Sequence, residues 1–181
     1  MQYPRSSTSD AELLEAFAGG SRAAFDSLVA RYDNRLLHFI LRYGLSQLEA
    51  EEILQDVFVN VLESHDSLRR KTSIGSWMFS ITRNRCLNHL RRLRRQPVMV
   101  PLGSNIPSLR EEPETESRQV EELRQLENLI RELPPGQREL LHLRFHQQLS
   151  FAEIGEIINQ KEAAVRQRYH RLLKDLWKQM K

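Results

Sequence analysis

The chain has 181 residues, of which 40% are hydrophobic and 28% are charged, and its formal net charge is +3 at pH 7. This length suits one ordinary domain or two small ones, and the composition excludes a chain that is disordered throughout. No apolar stretch approaches the ~20 residues needed to cross a bilayer, and the N-terminus lacks the apolar core of a secretory signal. The single cysteine, Cys86, excludes an internal disulfide framework. We therefore expect a cytoplasmic protein without stable membrane insertion.

Apolar residues recur at three- and four-residue steps through the first half of the chain, which predicts helices. A short helix, AELLEAFAGGS, is expected to end at Gly19-Gly20, and Ser21 is placed to cap a second helix over residues 22–43. A third helix begins with a capping box made by Ser46 and Glu49. Its predicted buried residues are Leu48, Ile53, Leu54, Val57, Phe58, Val61 and Leu62.

A fourth helix is predicted at SWMFSITRNRCLNHLRRLRR, residues 76–95, which holds six Arg and no acidic residue. At 100° per residue, its core face is Met78, Phe79, Thr82, Cys86, Leu90 and Leu93. The opposite face carries Trp77, Ser80, Ile81, Asn84, Arg85, Asn88, Arg91, Arg92 and Arg95. Arginine neutralises phosphates, Asn pairs with base edges and exposed aromatic rings stack on unpaired bases, so this face indicates nucleic-acid binding. The alternative is an ordinary basic surface helix with a partly buried Trp.

Periodicity is lost over QPVMVPLGSNIPSLREEPETESR, residues 96–118, where four Pro and a cluster of Glu occur. This composition predicts a flexible Pro/Glu-rich linker over residues 97–118. The predicted fold class is therefore all-α, with two small helical domains over residues 9–96 and 119–181.

The second domain is predicted to end in a helix-turn-helix. A helix from residue 119 is broken by ELPPGQ, and an apolar helix comes next, around Leu140–Phe145. A short helix at 151–158, capped by Ser150 and Glu153, and a long helix from 162 are then joined by a turn in which Asn159 suits the left-handed conformation. Such a pair fits a DNA major groove. The alternative is an amphipathic helical hairpin that binds a partner protein.

Three blocks of this sequence resemble bacterial RNA polymerase sigma factors: AEEILQDVFVNVLE at 50–63, SWMFSITRNRCLNHLRR at 76–92 and LPPGQRELLHLRFHQQLSFAEIGEII at 133–158. The chain is most similar to the extracytoplasmic-function group of the sigma-70 family. The resemblance covers residue 9 to the C-terminus, apart from the linker. It implies a promoter-specificity subunit that binds core RNA polymerase, recognises −10 and −35 promoter elements and assists DNA melting.

The resemblance also implies residue roles. The helix matching residues 47–63 would dock on a coiled coil of the polymerase clamp through Glu52, Gln55 and Asp56, within an acidic strip that also holds Glu49 and Glu51; a solvated helix face is the alternative. Recognition and melting of the −10 element would fall to Arg69, Arg70, Lys71, Trp77, Asn84, Asn88, Arg91, Arg92 and Arg95. Recognition of the −35 element would fall to Arg166, Gln167, Arg168, His170, Arg171 and Lys174.

The same resemblance implies further partners, and at a few positions this sequence differs from the family's usual residues. The expected partners are the polymerase flap, promoter DNA as duplex and as melted non-template strand, and an anti-sigma factor. The linker would pass through the RNA channel, and its Glu111, Glu112, Glu114 and Glu116 are compatible with a channel lined by basic groups; a soluble acidic tether is the alternative. Asn159-Gln160-Lys161 replaces the family's Gly-Ile/Met-Ser turn, so a Ser cap is lost. Gly155 stands where Ala is usual, and Ala163-Ala164 replaces Gly-Thr.

Catalytic, metal and cofactor sites are not expected. His142 and His146 share a helix face as a possible two-ligand metal pair, but no third ligand is evident, and Cys86 lies on the predicted core face. Two other functions remain open: an autonomous helix-turn-helix regulator that binds operator DNA as a dimer, and a helical adaptor. The regulator should bind duplex DNA tightly without polymerase, with an affinity that falls steeply as salt rises.

Overall fold

The computed structural model describes residues 8–68, 73–95 and 118–180, without the side chains of residues 65–68 and 118–120. Within these ranges every regular element is helical. The helices form two separate units, α1–α4 and α5–α8, which confirms the predicted all-α fold. The predicted linker at 97–118 lies outside the described residues.

The first unit contains α1 (Asp10–Ala18), α2 (Arg22–Leu41), α3 (Gln47–Leu68) and α4 (Ile74–Arg95). Three of these helices begin at polar caps, and those at Ser21 and Ser46 were predicted from the sequence. Ser9 and Glu12 form a capping box on α1. The Ser21 hydroxyl accepts from the Ala24 amide at 3.4 Å, and Ser46 accepts from the Glu49 amide at 3.3 Å. These bonds satisfy amide groups that a helix leaves unpaired in its first turn.

Helices α2, α3 and α4 enclose the core of the first unit. The Phe39 and Phe79 rings meet edge to face with centroids 5.2 Å apart, which joins α2 to α4. Gly75 lies against the buried Tyr32, since a Cβ at Gly75 would stand 2.8 Å from the Tyr32 hydroxyl. That hydroxyl donates to Asp10, and burial, together with this bond, raises the pKa of Tyr32. Fully buried side chains of the three helices are Leu28, Leu36, Phe39, Ile40, Ala50, Val57, Val61, Met78, Phe79, Thr82 and Cys86.

Two polar contacts link α3 to α4. His89 Nε2 lies 2.9 Å from Glu49 Oε1, and Arg85 forms an ion pair with Asp56. Glu49 comes before Asp56 on α3, whereas its partner His89 comes after Arg85 on α4. The two helices therefore run antiparallel. Glu49 also accepts from the Ser46 amide at 2.8 Å and the Ser46 hydroxyl at 2.6 Å. The side-chain bonds from Ser46 and His89 lower the pKa of Glu49 to about 2.

Three apolar residues predicted to be buried in the first unit are exposed. Leu48 is 69% exposed and Leu62 is 44% exposed, because the buried face of α3 is centred on Val57 and these two residues lie on its far side. Leu93 is 40% exposed. His89 on α4 already contacts Glu49 in the first turn of α3. Leu93 lies one turn further along α4, beyond the N-terminus of α3, so α3 does not bury it.

The second unit contains α5 (Arg118–Glu132), α6 (Pro135–Leu141), α7 (Phe151–Ile158) and α8 (Glu162–Gln179), and α6 continues as a π-helical turn, His142–His146. The break predicted at ELPPGQ is confirmed. The core consists of Leu140, His142, Leu143, Leu149, Ile154, Ile157, Val165, Leu172 and Leu176. The wider π-helical turn shifts the angular positions of its last residues, and Phe145, predicted on an apolar helix, is 74% exposed. Leu123 of α5 and Leu173 of α8, apolar residues at helical spacing in the sequence, are likewise 50% and 41% exposed.

The turn between α7 and α8 has the predicted conformation. Asn159 adopts φ 55° and ψ 53°, in the left-handed region. A Cβ at Gly155 would stand 2.6 Å from the Gln160 carbonyl oxygen, so glycine is needed where the chain turns back on α7. Lys161 precedes α8 without a side-chain cap bond, as expected from the missing Ser.

Gln148 carries a left-handed backbone that suggests a stabilising substitution. Its φ is 56°, a conformation that strains residues with a Cβ. We expect Gln148→Gly to raise the free energy of unfolding by roughly 0.5–1 kcal/mol, because relief of strain exceeds the entropy that glycine adds to the unfolded state. Urea denaturation measures it. Gln125→Gly, inside α5, is the control and should lower the free energy of unfolding by about 1 kcal/mol. If both variants lost the same free energy of unfolding, the backbone at Gln148 would not be strained.

The lowered pKa of Glu49 predicts a pH dependence of stability. Because the folded value of about 2 lies below the ordinary 4.5, the contribution is complete above pH 4.5 and is lost as the pH falls towards 2. We expect Glu49→Gln to unfold more easily at pH 7, by about 1 kcal/mol or less, and to lose less stability than the wild type between pH 5 and 2.5. Urea titrations at each pH measure this. Glu63→Gln should behave as the wild type; an unchanged pH profile in Glu49→Gln would refute the assignment.

Candidate functional site

One straight line of exposed and half-buried side chains runs along α4, opposite its buried face. Its members are separated by alternating four- and three-residue steps, so at 100° per residue they fall within about 80° of the helix circumference. The line spans roughly 27 Å at 1.5 Å per residue. Trp77 and Ile81 are half-buried, and the others are exposed. We call this line the α4 stripe: Trp77, Ile81, Asn84, Asn88, Arg91 and Arg95.

The electrostatics of α4 are one-sided. Between Ile74 and Arg95 it carries six Arg and no acidic residue. Arg92 is exposed beside the stripe, and Arg91 Nη1 donates to Asn88 Oδ1 at 2.8 Å. The structure thus places Trp77, Asn84, Asn88, Arg91, Arg92 and Arg95 on one surface, as the sequence predicts. The remaining predicted −10 residues, Arg69, Arg70 and Lys71, lie outside the described residues.

A second line, which sequence analysis did not identify, runs along the exposed face of α3. Leu48 is 69%, Val59 is 43% and Leu62 is 44% exposed, and the predicted contact residues Glu52 and Gln55 are exposed between them. The steps again alternate between four and three residues, as in the seam of a coiled coil. We call this line the α3 stripe: Leu48, Glu52, Gln55, Val59 and Leu62. Its spacing was visible in the sequence, but the sequence analysis assigned Leu48 and Leu62 to the core.

The acidic strip expected on α3 is divided in the structure. Glu49 is directed to Ser46 and His89, and Asp56 is paired with Arg85 of α4. Glu51 accepts from the Gln47 side chain at 2.7 Å. Of the strip, only Glu52 lies within the α3 stripe, where apolar side chains and not carboxylates predominate.

Helix α8 presents the six residues predicted to contact the −35 element in three groups. Gln167, Arg171 and Lys174 are exposed directly opposite the buried face. Arg166 and His170 lie beside α7, where both contact the ring of Phe151. Arg168 lies on the other flank, and its Nη1 donates to Gln160 Oε1 at 2.7 Å. Phe151 also belongs to this surface, although its sequence pattern predicted only that it faces inward.

A cleft of about 490 Å³ opens between α5, the start of α6 and the end of α8. Its apolar side chains come from α5, from the two residues that join α5 to α6, and from α8, and the charged residues Glu132, Asp175 and Lys178 also line it. Its apolar lining consists of Leu129, Leu133, Pro134, Leu172 and Leu176.

The histidine pair considered as a metal site is a ring stack. The centroids of His142 and His146 are 5.1 Å apart, and His142 Nε2 lies 3.1 Å from Gln147 Nε2. In residues 8–68, 73–95 and 118–180, no three His, Cys, Asp or Glu side chains form a group able to hold a metal ion. Within the same ranges, no helix combines the length and the apolar character that a membrane span requires.

Comparison with known families identifies both units. The family model described as sigma-70 region 2 matches residues 28–96, and the model described as sigma-70, region 4 matches residues 123–176. The ECF RNA polymerase sigma factor SigM of Mycobacterium tuberculosis is 31% identical over 165 residues, which cover 91% of this chain and 81% of that protein. The ECF RNA polymerase sigma-E factor of Escherichia coli is 29% identical, with 90% of this chain and 89% of that protein covered.

Solved structures share the fold. CnrH, solved in complex with the cytosolic domain of CnrY, matches with a TM-score of 0.65 and 22% identity over 92% of this chain and 94% of that one. The sigma factor RpoE of Bartonella quintana, solved with the anti-sigma factor NepR, matches with a TM-score of 0.61 and 21% identity over 86% of this chain and 96% of that one. The predicted resemblance is therefore confirmed: the chain belongs to the extracytoplasmic-function group of the sigma-70 family of RNA polymerase sigma factors.

Proposed function

We propose that this chain directs core RNA polymerase to promoters by using the α3 stripe for the polymerase and the α4 stripe for the −10 element. The observation that carries the proposal is the α4 stripe, where Trp, Asn and Arg occupy a helix face without any acidic residue. A solvated helix face ordinarily mixes both charges. Positive charge at the C-terminal end of the α4 stripe, together with the absence of any acidic residue along its roughly 27 Å, suits a phosphate backbone.

The composition of the α4 stripe suits melted DNA in particular. Extruding a base from the duplex costs a few kcal/mol, whereas stacking on an aromatic side chain recovers roughly 1–3 kcal/mol per base. Trp77 is half-buried, so packing holds one part of its ring while the rest can meet a base. Asn84 and Asn88 would contact base edges, and Arg91, Arg92 and Arg95 would contact phosphates. Arg69, Arg70 and Lys71 would extend this surface.

The α3 stripe suits a helical partner. Apolar side chains at coiled-coil spacing are what a helix needs to pack against another helix or coiled coil. Glu52 and Gln55, exposed among Leu48, Val59 and Leu62, would set the orientation through polar contacts. Asp56 lies beside the stripe, paired with Arg85. We assign the clamp coiled coil of the polymerase to this stripe and the flap to the apolar cleft of the second unit.

The second unit would recognise the −35 element. Its helix-turn-helix would place α8 in the major groove, with Arg166, Gln167, His170 and Arg171 towards base edges and Arg168 and Lys174 towards phosphates. The domain limits 9–96 and 119–181, with the linker between them, remain part of this proposal. So do a cytoplasmic location, the absence of a catalytic reaction in this chain, and an anti-sigma partner of the kind found with the sigma factor RpoE of Bartonella quintana.

The α3 stripe can be tested by placing charge on it. We expect Val59→Glu combined with Leu62→Glu to weaken binding to core polymerase at least tenfold, which corresponds to about 1.4 kcal/mol, because two carboxylates would be buried without partners. A titration of labelled chain with core enzyme measures it. Leu93→Glu is the matched control, since Leu93 is 40% exposed and Leu62 is 44%. Equal affinities of the double variant and the wild type would refute the assignment.

Transcription in vitro, with core polymerase in the presence and absence of this chain, tests the proposed function itself. We expect specific initiation only when both are present. Trp77→Ala should reduce open-complex formation roughly 5- to 150-fold, the equivalent of one lost stacking contact, and should also weaken binding to a premelted promoter fork. Trp177→Ala, which removes the other tryptophan, is the control. Tight duplex binding without polymerase would instead favour an autonomous regulator, and initiation unaffected by Trp77→Ala would remove this residue from the site.

A further inference from the structure

The ring of Phe151, the first residue of α7, is surrounded by basic groups from two other segments. The Arg144 guanidinium carbon lies 4.7 Å and that of Arg166 lies 5.7 Å from the ring centroid. The His170 ring centroid is 6.2 Å away. Phe151 is half-buried, so its ring joins the core of the second unit to the exposed side of α8. Both guanidinium groups are within the distance of a cation–π contact.

This ring is itself held in place. The Tyr169 ring lies 5.5 Å from it, and the neighbouring Arg144 is fixed because its Nη1 donates to the Leu149 carbonyl at 2.8 Å. The backbone at Phe151 is fixed as well, since the capping box of Ser150 and Glu153 starts α7 at this point. Phe151 therefore offers Arg166 a rigid surface.

Arg166 has a second restraint, an ion pair with Glu162 one turn earlier on α8. Both side chains remain about half exposed, at 56% and 46%, so the pair contributes little to folding stability. Its position matters more. A carboxylate in the first turn of a helix that enters DNA would repel phosphates, and here it stands beside an arginine.

We propose that Phe151 and Glu162 are positioning residues that hold the Arg166 guanidinium for pairing with a guanine base in the −35 element. This inference rests on the proposed function of the second unit. Phosphate contacts carry no sequence information, whereas the planar guanidinium fork pairs with guanine O6 and N7 only when it is correctly oriented. The ring of Phe151 fixes one side of the fork, and Glu162 keeps phosphates away from it.

The two positioning residues are expected to act on specificity in distinguishable ways. Phe151→Leu keeps an apolar side chain but removes the flat surface, so discrimination falls while overall binding changes little. Glu162→Gln also loosens Arg166, but it removes a charge that repels DNA. Affinity for any duplex should therefore rise while discrimination falls. If Glu162 had only a structural role, Glu162→Gln would not raise the affinity for DNA while it lowered the discrimination between bases.

The test uses polymerase reconstituted with the full chain and promoters that carry each of the four bases at each −35 position. We expect the wild type to prefer guanine at one position by roughly tenfold, within the range of a bidentate arginine contact, and Arg166→Ala to abolish that preference. Phe151→Leu and Glu162→Gln should reduce it to about threefold or less, within the same scale, and leave other positions unchanged. Glu156→Gln, an equal charge change at an exposed site on α7, should retain the wild-type preference.

Several outcomes would overturn the proposal. Retention of the guanine preference by both Phe151→Leu and Glu162→Gln, together with its loss in Arg166→Ala, would show that neither residue positions the arginine. An unchanged profile in Arg166→Ala would remove Arg166 from base recognition while initiation by the wild type still supported the proposed function. The exposed Glu162→Gln variant keeps the test valid if Phe151→Leu folds poorly.

A measurement without polymerase separates this proposal from the proposed function. In the free chain, the Arg166 Nε–H signal in NMR should show restricted motion on the picosecond to nanosecond timescale, and Phe151→Leu should release it. The Arg171 signal is the internal reference for an exposed side chain. If Arg166 moved as freely as Arg171 in the wild type, the positioning would be refuted whether or not the chain directs initiation.

Discussion

The antiparallel packing of α3 against α4 determines which side chains of both helices reach the solvent. Val57 and Ala50 on α3 and Cys86 and Met78 on α4 are fully buried. Because the core occupies one face of each helix, the opposite faces are left largely exposed to the solvent. On α3 that face is the mostly apolar α3 stripe, and on α4 it is the basic α4 stripe. One packing arrangement thus prepares two surfaces of different chemistry, and the contacts of Asp56 with Arg85 and of Glu49 with His89 fix the register between them.

Sequence alone predicted the helices and the beginnings of α2, α3, α7 and α8, because these depend on neighbouring residues. The caps at Ser21 and Ser46, the break at ELPPGQ and the left-handed Asn159 are determined by spacings of a few residues. The basic face of α4 was also predictable. Because this helix has six Arg and no acidic residue, and its apolar residues share one face, the positive charge must lie on the other side. Arg69 to Lys71 and the linker lie outside the described residues, and their roles stay predictions.

The faces of α3 were harder to predict because this helix has apolar residues on nearly every side. Leu48 and Leu62 are apolar and lie at helical spacing, which made them candidates for the core. Which apolar residues of α3 are buried depends on where α2 and α4 pack against it. The same limit applies to Phe145, where a π-helical turn changes the phase of the helix without any signal in the spacing. Phe151 is visibly apolar in the sequence. Its contact with Arg166, however, depends on the turn at Gly155 and Asn159, which brings α8 back beside α7. Long-range packing, not local pattern, therefore determined the features that the sequence did not predict.

We propose that the two stripes bind different molecules from separate faces of one hydrophobic core. Photo-crosslinking in the initiation complex tests it most directly, with a photoreactive phenylalanine analogue placed in turn at Val59, Trp77 and Leu93. We expect Val59 to crosslink to core polymerase, Trp77 to crosslink to the non-template strand of the −10 element, and Leu93 to crosslink to neither. Links from Val59 to DNA, or from Trp77 to polymerase alone, would contradict it.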